Sequence, residues 1–210
     1  MAEVAPLDFV WQRAQPIPAE RRAELLALPG FGDTYSDHMV TVRWDGELGW
    51  HDARVGPLAA LSLHPATMGL HYGQTVFEGL KAFWRPNGRR ALFRPVDHAR
   101  RFNQSARRMA MPTLPEEDFL AALEALLRAD GAWVPRPRGH SLYLRPFMIA
   151  AETHLGNRPA EEYLFAVIAT PARPASAEPK PMRLWAAPEY IRAAPGGTGA
   201  AKCGGNYGGS

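Results

Sequence analysis

The sequence predicts an α+β protein, in which a strand-rich first half is followed by two helices and two further strands. Three observations support this class. Short runs of β-branched and aromatic residues flank turn residues in the first hundred positions. Two amphipathic stretches with helix start and stop residues follow. Two apolar runs, long enough to be buried strands, come after them.

The composition is that of a globular protein. Hydrophobic residues make up 46% and charged residues 21% of the 210 positions, which excludes the disordered and fibrous classes. The formal charge of +3 arises from 24 basic and 21 acidic side chains that are scattered along the chain. A nucleic-acid-binding protein groups its basic residues into a stripe, so we expect no nucleic-acid partner.

A single cysteine, Cys203, bears on the compartment in which the chain works. An internal disulfide and a thiolate zinc site are excluded, we expect no metal, and a reducing compartment is favoured. The first residues contain no basic segment followed by an apolar run, and no stretch approaches membrane-spanning length. We therefore expect a cytoplasmic protein with no membrane partner.

The N-terminal part is predicted to contain a helix and then a hairpin. Pro18 to Leu28 forms the helix, with proline at its start, an acidic residue in its first turn and Gly30 as a stop. Met39 to Trp44 is β-branched and aromatic, as in a strand. The Asp45-Gly46 pair that follows is able to take the positive φ angles of a tight hairpin turn.

A second hairpin is predicted around Asn87-Gly88. This pair is a strong turn signal and is flanked by Lys-Ala-Phe-Trp at 81–84 and Ala-Leu-Phe-Arg at 91–94. The first hundred residues are therefore rich in strands.

Two helices are predicted next. The first runs from about Asp97, a candidate N-cap, to Met109, and Phe102, Ala106 and Met109 share one face. The second starts near Pro115 and ends around Asp130-Gly131. Its buried face is predicted to comprise Phe119, Leu120, Leu123, Leu126 and Leu127.

Two strands complete the predicted first domain, which spans residues 1–170. Ser141 to Ala151 and Tyr163 to Thr170 are apolar enough to lie inside a sheet. Tyr143 and Arg145 alternate with leucines on the earlier strand, so both polar side chains are expected on one face of the sheet.

A connector and the start of a second domain are predicted after residue 170. Residues 171–181 contain four prolines, which suits an extended, semi-rigid segment. Met182 to Ala187 is predicted as the first strand of a new unit. Residues 182–210 are too few to bury a core of their own, so we expect this second domain to be incomplete.

A glycine-rich segment encloses a single lysine. Residues 196–207 read Gly-Gly-Thr-Gly-Ala-Ala-Lys-Cys-Gly-Gly-Asn-Tyr, and the small residues around Lys202 let a bulky ligand approach the backbone. A P-loop is excluded because it needs Gly before the lysine and Ser or Thr after it, where this chain has Ala201 and Cys203. Two interpretations stay open: a partly desolvated amine that forms an imine with a carbonyl, and an exposed loop lysine.

This segment resembles the active-site lysine segment of fold-type IV aminotransferases, and of the branched-chain amino acid aminotransferases in particular. Further blocks are similar to the same family: Asp37-His-Met39, Leu61–Thr67, His71–Phe83 and Tyr143-Leu-Arg-Pro146. The blocks follow the family order from about Phe31 to Tyr207, and this collinearity is more specific than any one motif.

The resemblance implies pyridoxal 5'-phosphate as the cofactor. Lys202 would form the internal aldimine and then carry the proton between the substrate Cα and the cofactor C4′. Tyr207 would hydrogen-bond the phenolic oxygen of the cofactor. Arg101 would grip the phosphate, since a guanidinium suits two-pronged binding, and Arg192 would support the cofactor loop.

Helical spacing bears on the orientation of Arg101. His98, Arg101 and Ser105 fall on one stripe beside the apolar face of Phe102, which favours an inward-pointing arginine. The neighbouring arginines are expected in solvent: Arg100, Arg107 and Arg108.

The resemblance also implies a substrate pocket. Tyr72 and Phe77 match the aromatic wall for an aliphatic side chain, although such aromatic residues are as often simple core. Tyr143 and Arg145 match a pair at the substrate side, where the arginine meets a dicarboxylate such as 2-oxoglutarate or glutamate.

The implied function is transfer of the amino group between leucine, isoleucine or valine and 2-oxoglutarate, by a homodimer. Family members continue past the lysine segment and supply an acidic partner for the pyridine nitrogen and further phosphate ligands. Two alternatives stay open. One is another fold-type IV enzyme, a D-amino acid aminotransferase or an aminodeoxychorismate lyase, and the other is a catalytically inactive fragment.

Overall fold

The structure, a computed structural model, describes residues 6–174 and 181–208. Its α-helices are α1 (Ala19–Ala27), α2 (Met68–Tyr72), α3 (Pro95–Arg108) and α4 (Glu116–Asp130). Its strands are β1 (Val10–Trp11), β2 (His38–Asp45), β3 (Gly49–Pro57), β4 (Thr75–Phe77), β5 (Leu80–Trp84), β6 (Arg90–Leu92), β7 (Ser141–Ala150) and β8 (Glu162–Ala172). Short 3₁₀ helices lie at Gly131–Trp133 and Gly204–Tyr207.

The strands form one mixed sheet. Its order is β1-β3-β2-β8-β7-β5-β6, and β4 pairs with β7 beside β5. β1 is parallel to β3, whereas the other pairs are antiparallel. The α+β class is confirmed, and so are the two hairpins and the long strands β7 and β8.

Three phenylalanine rings join α3 and α4 to the sheet. Phe102, Phe119 and Phe165 are fully buried, and their ring centroids lie 5.4 to 6.0 Å apart. Burying one such side chain contributes about 1.5–3 kcal/mol. This cluster therefore fixes the position of α3, the helix that carries Arg101. No helix in the described ranges is long and apolar enough to cross a membrane.

The edge of β7 that faces α3 is shared by β4 and β5. β4 pairs with residues 147–149 of β7, and β5 pairs with residues 142–144. Glu78 and Gly79 lie between the two short strands, and the Glu78 backbone N–H donates to the Pro146 carbonyl at 2.8 Å. The interruption turns the Glu78 side chain into the interior, where it is fully buried.

The predicted turn at Asp45-Gly46 was wrong in its geometry. β2 and β3 do form a hairpin, but neither residue of the pair has a positive φ, which occurs instead at Gly49 (67°). The Asp45 carboxylate accepts the backbone N–H groups of Glu47 and Leu48 at 2.9 and 2.7 Å. This side-chain turn stabilises a longer loop than the one expected. The Asn87-Gly88 turn is confirmed, with Gly88 at φ 75°.

The start of α3 also differs from the prediction. Arg94 is the N-cap residue and Pro95 the first helical residue, so Asp97 lies in the first turn. Proline is preorganised for that first position, and Asp97 forms an ion pair with Arg94 at 2.7 Å. In α4, Leu120 and Leu127 are only half-buried, whereas Phe119, Leu123 and Leu126 are buried as predicted.

The predicted strand at 182–187 is absent from the described residues. The segment has no regular structure, and Met182, Leu184 and Trp185 are exposed. A strand needs a hydrogen-bonded neighbour, and no described segment pairs with this one. β8 continues to Ala172, two residues beyond the predicted end of the first domain. Residues 175–180 of the predicted connector lie outside the described residues.

Candidate active site

Lys202 is held at the edge of the sheet by its backbone. Its N–H donates to Ser105 Oγ on α3 at 2.8 Å, and its carbonyl accepts the Phe77 N–H at 3.0 Å. An isolated antiparallel bridge joins Val76 to Cys203. The lysine backbone is thus fixed between β4 and α3, which leaves the side chain to project beside β4.

Two aromatic rings surround the Lys202 amine. Nζ donates to the Tyr207 hydroxyl at 3.2 Å and lies 4.4 Å from the centroid of the Phe77 ring. Phe77 and Tyr207 pack edge to face with centroids 5.0 Å apart. The 3₁₀ turn at Gly204–Tyr207 folds Tyr207 back onto the lysine. The structure therefore brings together three residues that the sequence predicted for one site.

Arg145 extends this cluster along β7. Its guanidinium carbon lies 4.8 Å from the Phe77 centroid, and Nη2 donates to the Tyr143 hydroxyl at 3.1 Å. The predicted shared face of Tyr143 and Arg145 is confirmed. Nε of Arg145 is buried without a hydrogen-bond partner among the described residues. An unsatisfied buried guanidinium N–H favours an anionic or polar ligand at this position.

Sequence reasoning missed Phe31 as a site residue. Its ring packs edge to face on Tyr143, with centroids 5.1 Å apart. Phe31, Tyr35, Tyr143 and Arg145 line a cavity of about 190 Å³ together with residues 168–170 of β8. The segment before β2 thus covers the cluster, and the Phe31-Gly-Asp sequence alone gave no sign of it.

Sequence reasoning also missed Glu78, a buried carboxylate. Arg101 donates to it from Nε and Nη2, the second at 2.8 Å, and His98 Nδ1 lies 2.8 Å from Oε2. Since an ionised carboxylate only accepts, the histidine N–H is the donor. The predicted stripe of His98, Arg101 and Ser105 on α3 is confirmed by these contacts and by the Ser105 bond to Lys202.

The charge of Glu78 depends on its partners. Burial alone would raise the pKa of this carboxyl, but hydrogen bonds from Arg101, His98 and the Gly79 N–H lower it below the usual value. Glu78 in turn raises the pKa of Arg101. Half of the Arg101 side chain stays exposed, and its Nη1 has no bond to a described residue. The arginine is oriented by Glu78 and still able to bind an anion.

The remaining predicted residues lie further out. Arg192 sits over the Tyr207 ring with its guanidinium carbon 5.9 Å from the centroid. Tyr72, on α2, donates to the Leu155 carbonyl and is half exposed, and it has no described contact with Lys202 or Phe77. The structure therefore does not bring Tyr72 into the cluster, and its pocket role stays a prediction.

The glycine-rich loop before Lys202 is braced by a buried amide. Asn206 Nδ2 donates to the carbonyls of Thr198 and Ala201, both at 2.8 Å, and Thr198 Oγ1 donates to Asn206 Oδ1 at 2.8 Å. Arg108 also binds this loop, at the carbonyls of Gly196 and Gly197. Arg108 is exposed, as predicted, but it also donates to this loop, because the loop folds back onto the end of α3.

Gly79 is required by the close approach of Tyr143. A Cβ at this position would lie 1.8 Å from the Tyr143 hydroxyl oxygen. We expect Gly79→Ala to displace the Tyr143 ring and to lower the free energy of unfolding by about 1–3 kcal/mol. Urea denaturation measures this loss. Gly205→Ala is the matched control, because a Cβ there meets no atom within 4 Å.

A double mutant tests the cause of the Gly79→Ala effect. Combined with Tyr143→Ala, the glycine substitution should cost little, since the clashing ring is gone. An undiminished loss in the double mutant would show that the clash with Tyr143 is not the reason for the glycine.

Comparison with known protein families supplies the identity that the geometry alone leaves open. The family described as amino-transferase class IV matches residues 75–207, a range that includes β4 to β8, both long helices, Lys202 and Tyr207. This chain belongs to the class IV aminotransferases.

Curated relatives of this class IV chain carry more specific names. The probable branched-chain-amino-acid aminotransferase of Streptomyces coelicolor is 53% identical over 92% of this chain and 54% of its own length. The branched-chain-amino-acid aminotransferase of Mycolicibacterium smegmatis is 48% identical over 96% of this chain and 56% of its own length. This class IV chain thus spans about half the length of the relatives it matches.

Solved structures support the fold of this class IV chain. The branched-chain amino acid aminotransferase from Escherichia coli superposes with a TM-score of 0.51 at 24% identity, over 81% of this chain and 50% of that one. An aminotransferase from Brucella abortus bound to the cofactor PLP superposes with a TM-score of 0.51 at 22% identity, over 80% of this chain and 54% of that one. The expected fold-type IV architecture is confirmed.

Proposed function

We propose that this chain is part of a branched-chain amino acid transaminase that moves the amino group between leucine, isoleucine or valine and 2-oxoglutarate. The observation that carries this proposal is the position of the Lys202 amine, 3.2 Å from the Tyr207 hydroxyl and against the Phe77 ring. Such a lysine is not a plain surface residue. It lies among groups that suit a flat aromatic aldehyde.

The side chains of the cluster fit pyridoxal 5'-phosphate. The cofactor needs an amine for its aldehyde, a hydroxyl for its phenolic oxygen and a cation for its phosphate. Lys202 and Tyr207 offer the first two, and Arg101, oriented by Glu78, offers the third. When bound, the cofactor supplies an electron sink for the pair of electrons that deprotonation leaves on the substrate Cα.

Lys202 has two tasks in the proposed reaction. Its amine would hold the cofactor at its aldehyde and, when free, would take the proton from the substrate Cα and return it in the later step. Tyr207 keeps the amine in place through the 3.2 Å hydrogen bond. Ser105 and the Phe77 N–H keep the lysine backbone still while the side chain moves.

The substrate side of the site would be built by Arg145, Tyr143 and Phe77. Arg145 carries a buried, unsatisfied Nε, which suits the second carboxylate of 2-oxoglutarate or glutamate. The Phe77 ring offers an apolar surface for an aliphatic side chain. The proposed pocket also includes Phe31, which covers Tyr143, and Tyr72 as predicted from the family resemblance.

The names of the relatives favour this substrate class. The Streptomyces, Mycolicibacterium and Bacillus proteins are all called branched-chain aminotransferases or transaminases, at 53%, 48% and 43% identity. This favours the branched-chain reaction over a D-amino acid aminotransferase or an aminodeoxychorismate lyase. A homodimer remains part of the proposal, and so does the cytoplasm, which is a reducing compartment that suits the free, buried Cys203.

The proposal is tested by adding pyridoxal phosphate to the purified chain. We expect a Schiff-base absorption band, and after borohydride reduction a cofactor adduct on the peptide that contains Lys202. L-Leucine should then discharge the band in a single half-reaction, whereas D-alanine should not. Absence of the band would show that this chain does not carry the cofactor, and discharge by D-alanine alone would favour the D-amino acid reaction.

A further inference from the structure

One stripe of α3 carries the candidate phosphate ligand and also contacts Lys202 and the loop that precedes it. Arg101, Ser105 and Arg108 are spaced by four and three residues, so their side chains project from the same face of the helix. Arg101 is the candidate phosphate ligand. Ser105 Oγ accepts the Lys202 N–H at 2.8 Å, and Arg108 binds the loop that leads to Lys202.

Arg108 makes a forked contact with that loop. Its Nη2 donates to the Gly196 carbonyl at 2.7 Å and to the Gly197 carbonyl at 2.8 Å. Both bonds are charge-assisted, and because Arg108 is exposed their effect is to orient the loop and not to stabilise the fold. The two bonds join the end of α3 to the glycine-rich loop, whose Gly196 and Gly197 lie 88 and 89 residues after Arg108.

The loop needs side-chain contacts to fix it because its glycines leave the backbone flexible. Gly196 adopts a φ of 76°, and Gly197 and Gly199 follow within three residues. Glycine loses more conformational freedom on ordering than any other residue. Asn206 fixes the later part, at Thr198 and Ala201, but it does not contact the Gly196-Gly197 carbonyls. Among the described residues, Arg108 is the side chain that binds these two carbonyls.

We propose that Arg108 is a positioning residue. Together with Ser105, it sets the distance along α3 between the phosphate ligand Arg101 and the Schiff-base lysine Lys202. This inference rests on the proposed function. Arg108 does not touch the reacting atoms. It acts by fixing the loop, so that the amine stands where the aldehyde lies when Arg101 holds the phosphate.

The distance between Arg101 and Lys202 matters only for a ligand that is bound at both ends. Pyridoxal phosphate would be anchored at its phosphate by Arg101 and at its aldehyde by Lys202, so the second contact forms within an already bound complex. Misplacement of the loop before Lys202 makes this second contact less favourable and so lowers the affinity for pyridoxal phosphate. Pyridoxal has no phosphate for Arg101 to bind, so its reaction with the Lys202 amine should not depend on the distance between these two residues.

The experiment compares the two aldehydes on the full chain. Equilibrium constants for Schiff-base formation are measured from the absorption band, and borohydride trapping with peptide mass analysis confirms that Lys202 is the amine. The measured quantity is the preference for pyridoxal phosphate over pyridoxal. We expect Arg108→Gln to lower this preference roughly tenfold, with little change for pyridoxal itself.

Matched variants separate positioning from general damage. Arg107→Gln removes the same charge from an adjacent exposed position, where the side chain makes no hydrogen bond with any described residue, and should keep the wild-type preference. Arg108→Lys restores one donor and the charge, and should recover part of the preference. Arg101→Gln should also lose it, because the phosphate ligand itself is gone.

The outcomes distinguish this inference from the proposed function. No band with wild-type chain and pyridoxal phosphate would overturn the proposed cofactor binding. If the wild-type band is normal and Arg108→Gln keeps the wild-type preference for pyridoxal phosphate, the positioning role of Arg108 is overturned. The proposed function then still stands. Equal losses of Schiff-base formation with both aldehydes would also overturn the positioning role, since a merely structural role for Arg108 would weaken the binding of both aldehydes alike.

Discussion

Lys202→Ala is expected to abolish the Schiff-base band of the chain with pyridoxal phosphate, together with the borohydride-trapped adduct. The amine of Lys202 lies between Phe77 and Tyr207, with the predicted phosphate ligand Arg101 on the neighbouring helix. Removing it takes away the nucleophile and leaves the rest of the pocket. The stability cost should be under about 1 kcal/mol, because the side chain makes one partly exposed hydrogen bond.

Two controls accompany this substitution. Lys81→Ala removes an exposed lysine on β5 and should leave the band unchanged. Lys202→Arg keeps a positive charge beside Tyr207 but no amine able to form a Schiff base, so it should lose the band and keep the melting temperature. A full band in Lys202→Ala would mean that another amine carries the adduct, and the assignment of Lys202 would be wrong.

The alternation of residues along β7 was enough to predict that two candidate site residues share one face of the sheet. Strand side chains point to opposite faces with a period of two, so Tyr143 and Arg145 had to share a face. Helical periodicity likewise predicted that His98, Arg101 and Ser105 share a stripe. Such local regularities survive folding because they depend on backbone geometry and not on distant partners.

Contacts between distant segments were not predictable in the same way. Glu78 lies in the run Val-Phe-Glu-Gly-Leu, and a lone carboxylate in a strand is expected on the solvent side. Its burial depends on Arg101 and His98, 23 and 20 residues away. Arg108 is a similar case, since nothing in an arginine pair at a helix end indicates which residue binds a loop 88 residues later.

The role of Tyr72 is a prediction that the contacts within this chain do not test. The family resemblance grouped it with Phe77, but the structure places it on α2 with its hydroxyl on the Leu155 carbonyl. The short helix α2 was not predicted, because five residues are too few for a periodic pattern. A role for Tyr72 near the substrate therefore depends on evidence other than its contacts within this chain.

Glu78→Gln is expected to lower the free energy of unfolding by about 2–4 kcal/mol at pH 7, because removing one partner leaves the others of a buried ion pair unpaired. The estimate lies below the largest values for buried pairs. Arg101 is half exposed and His98 is one-fifth exposed, so water can solvate both after the change. Glu116→Gln, which removes the exposed 3.3 Å pair with Arg100, should cost under about 0.5 kcal/mol.

The effect of Glu78 should depend on pH with a definite sign. Folding lowers the pKa of Glu78 below its usual 4.5, so the folded chain favours the charged form. The stability that this carboxylate contributes is complete above the usual value and disappears as the pH falls through the lowered pKa. The difference in unfolding free energy between wild type and Glu78→Gln should therefore persist above about pH 4.5 and shrink as the pH falls below that value.

Urea denaturation of both proteins at a series of pH values measures this difference. Glu78→Ala provides a second comparison, since it removes the neutral hydrogen bonds as well as the charge and should retain a residual deficit in acid. A difference that stays the same would show that folding does not lower the pKa of Glu78, and a difference that grows as the pH falls would show that Glu78 is held uncharged by burial. Arg101 would then lack the carboxylate that orients it, and its assignment as the phosphate ligand would lose its main structural support.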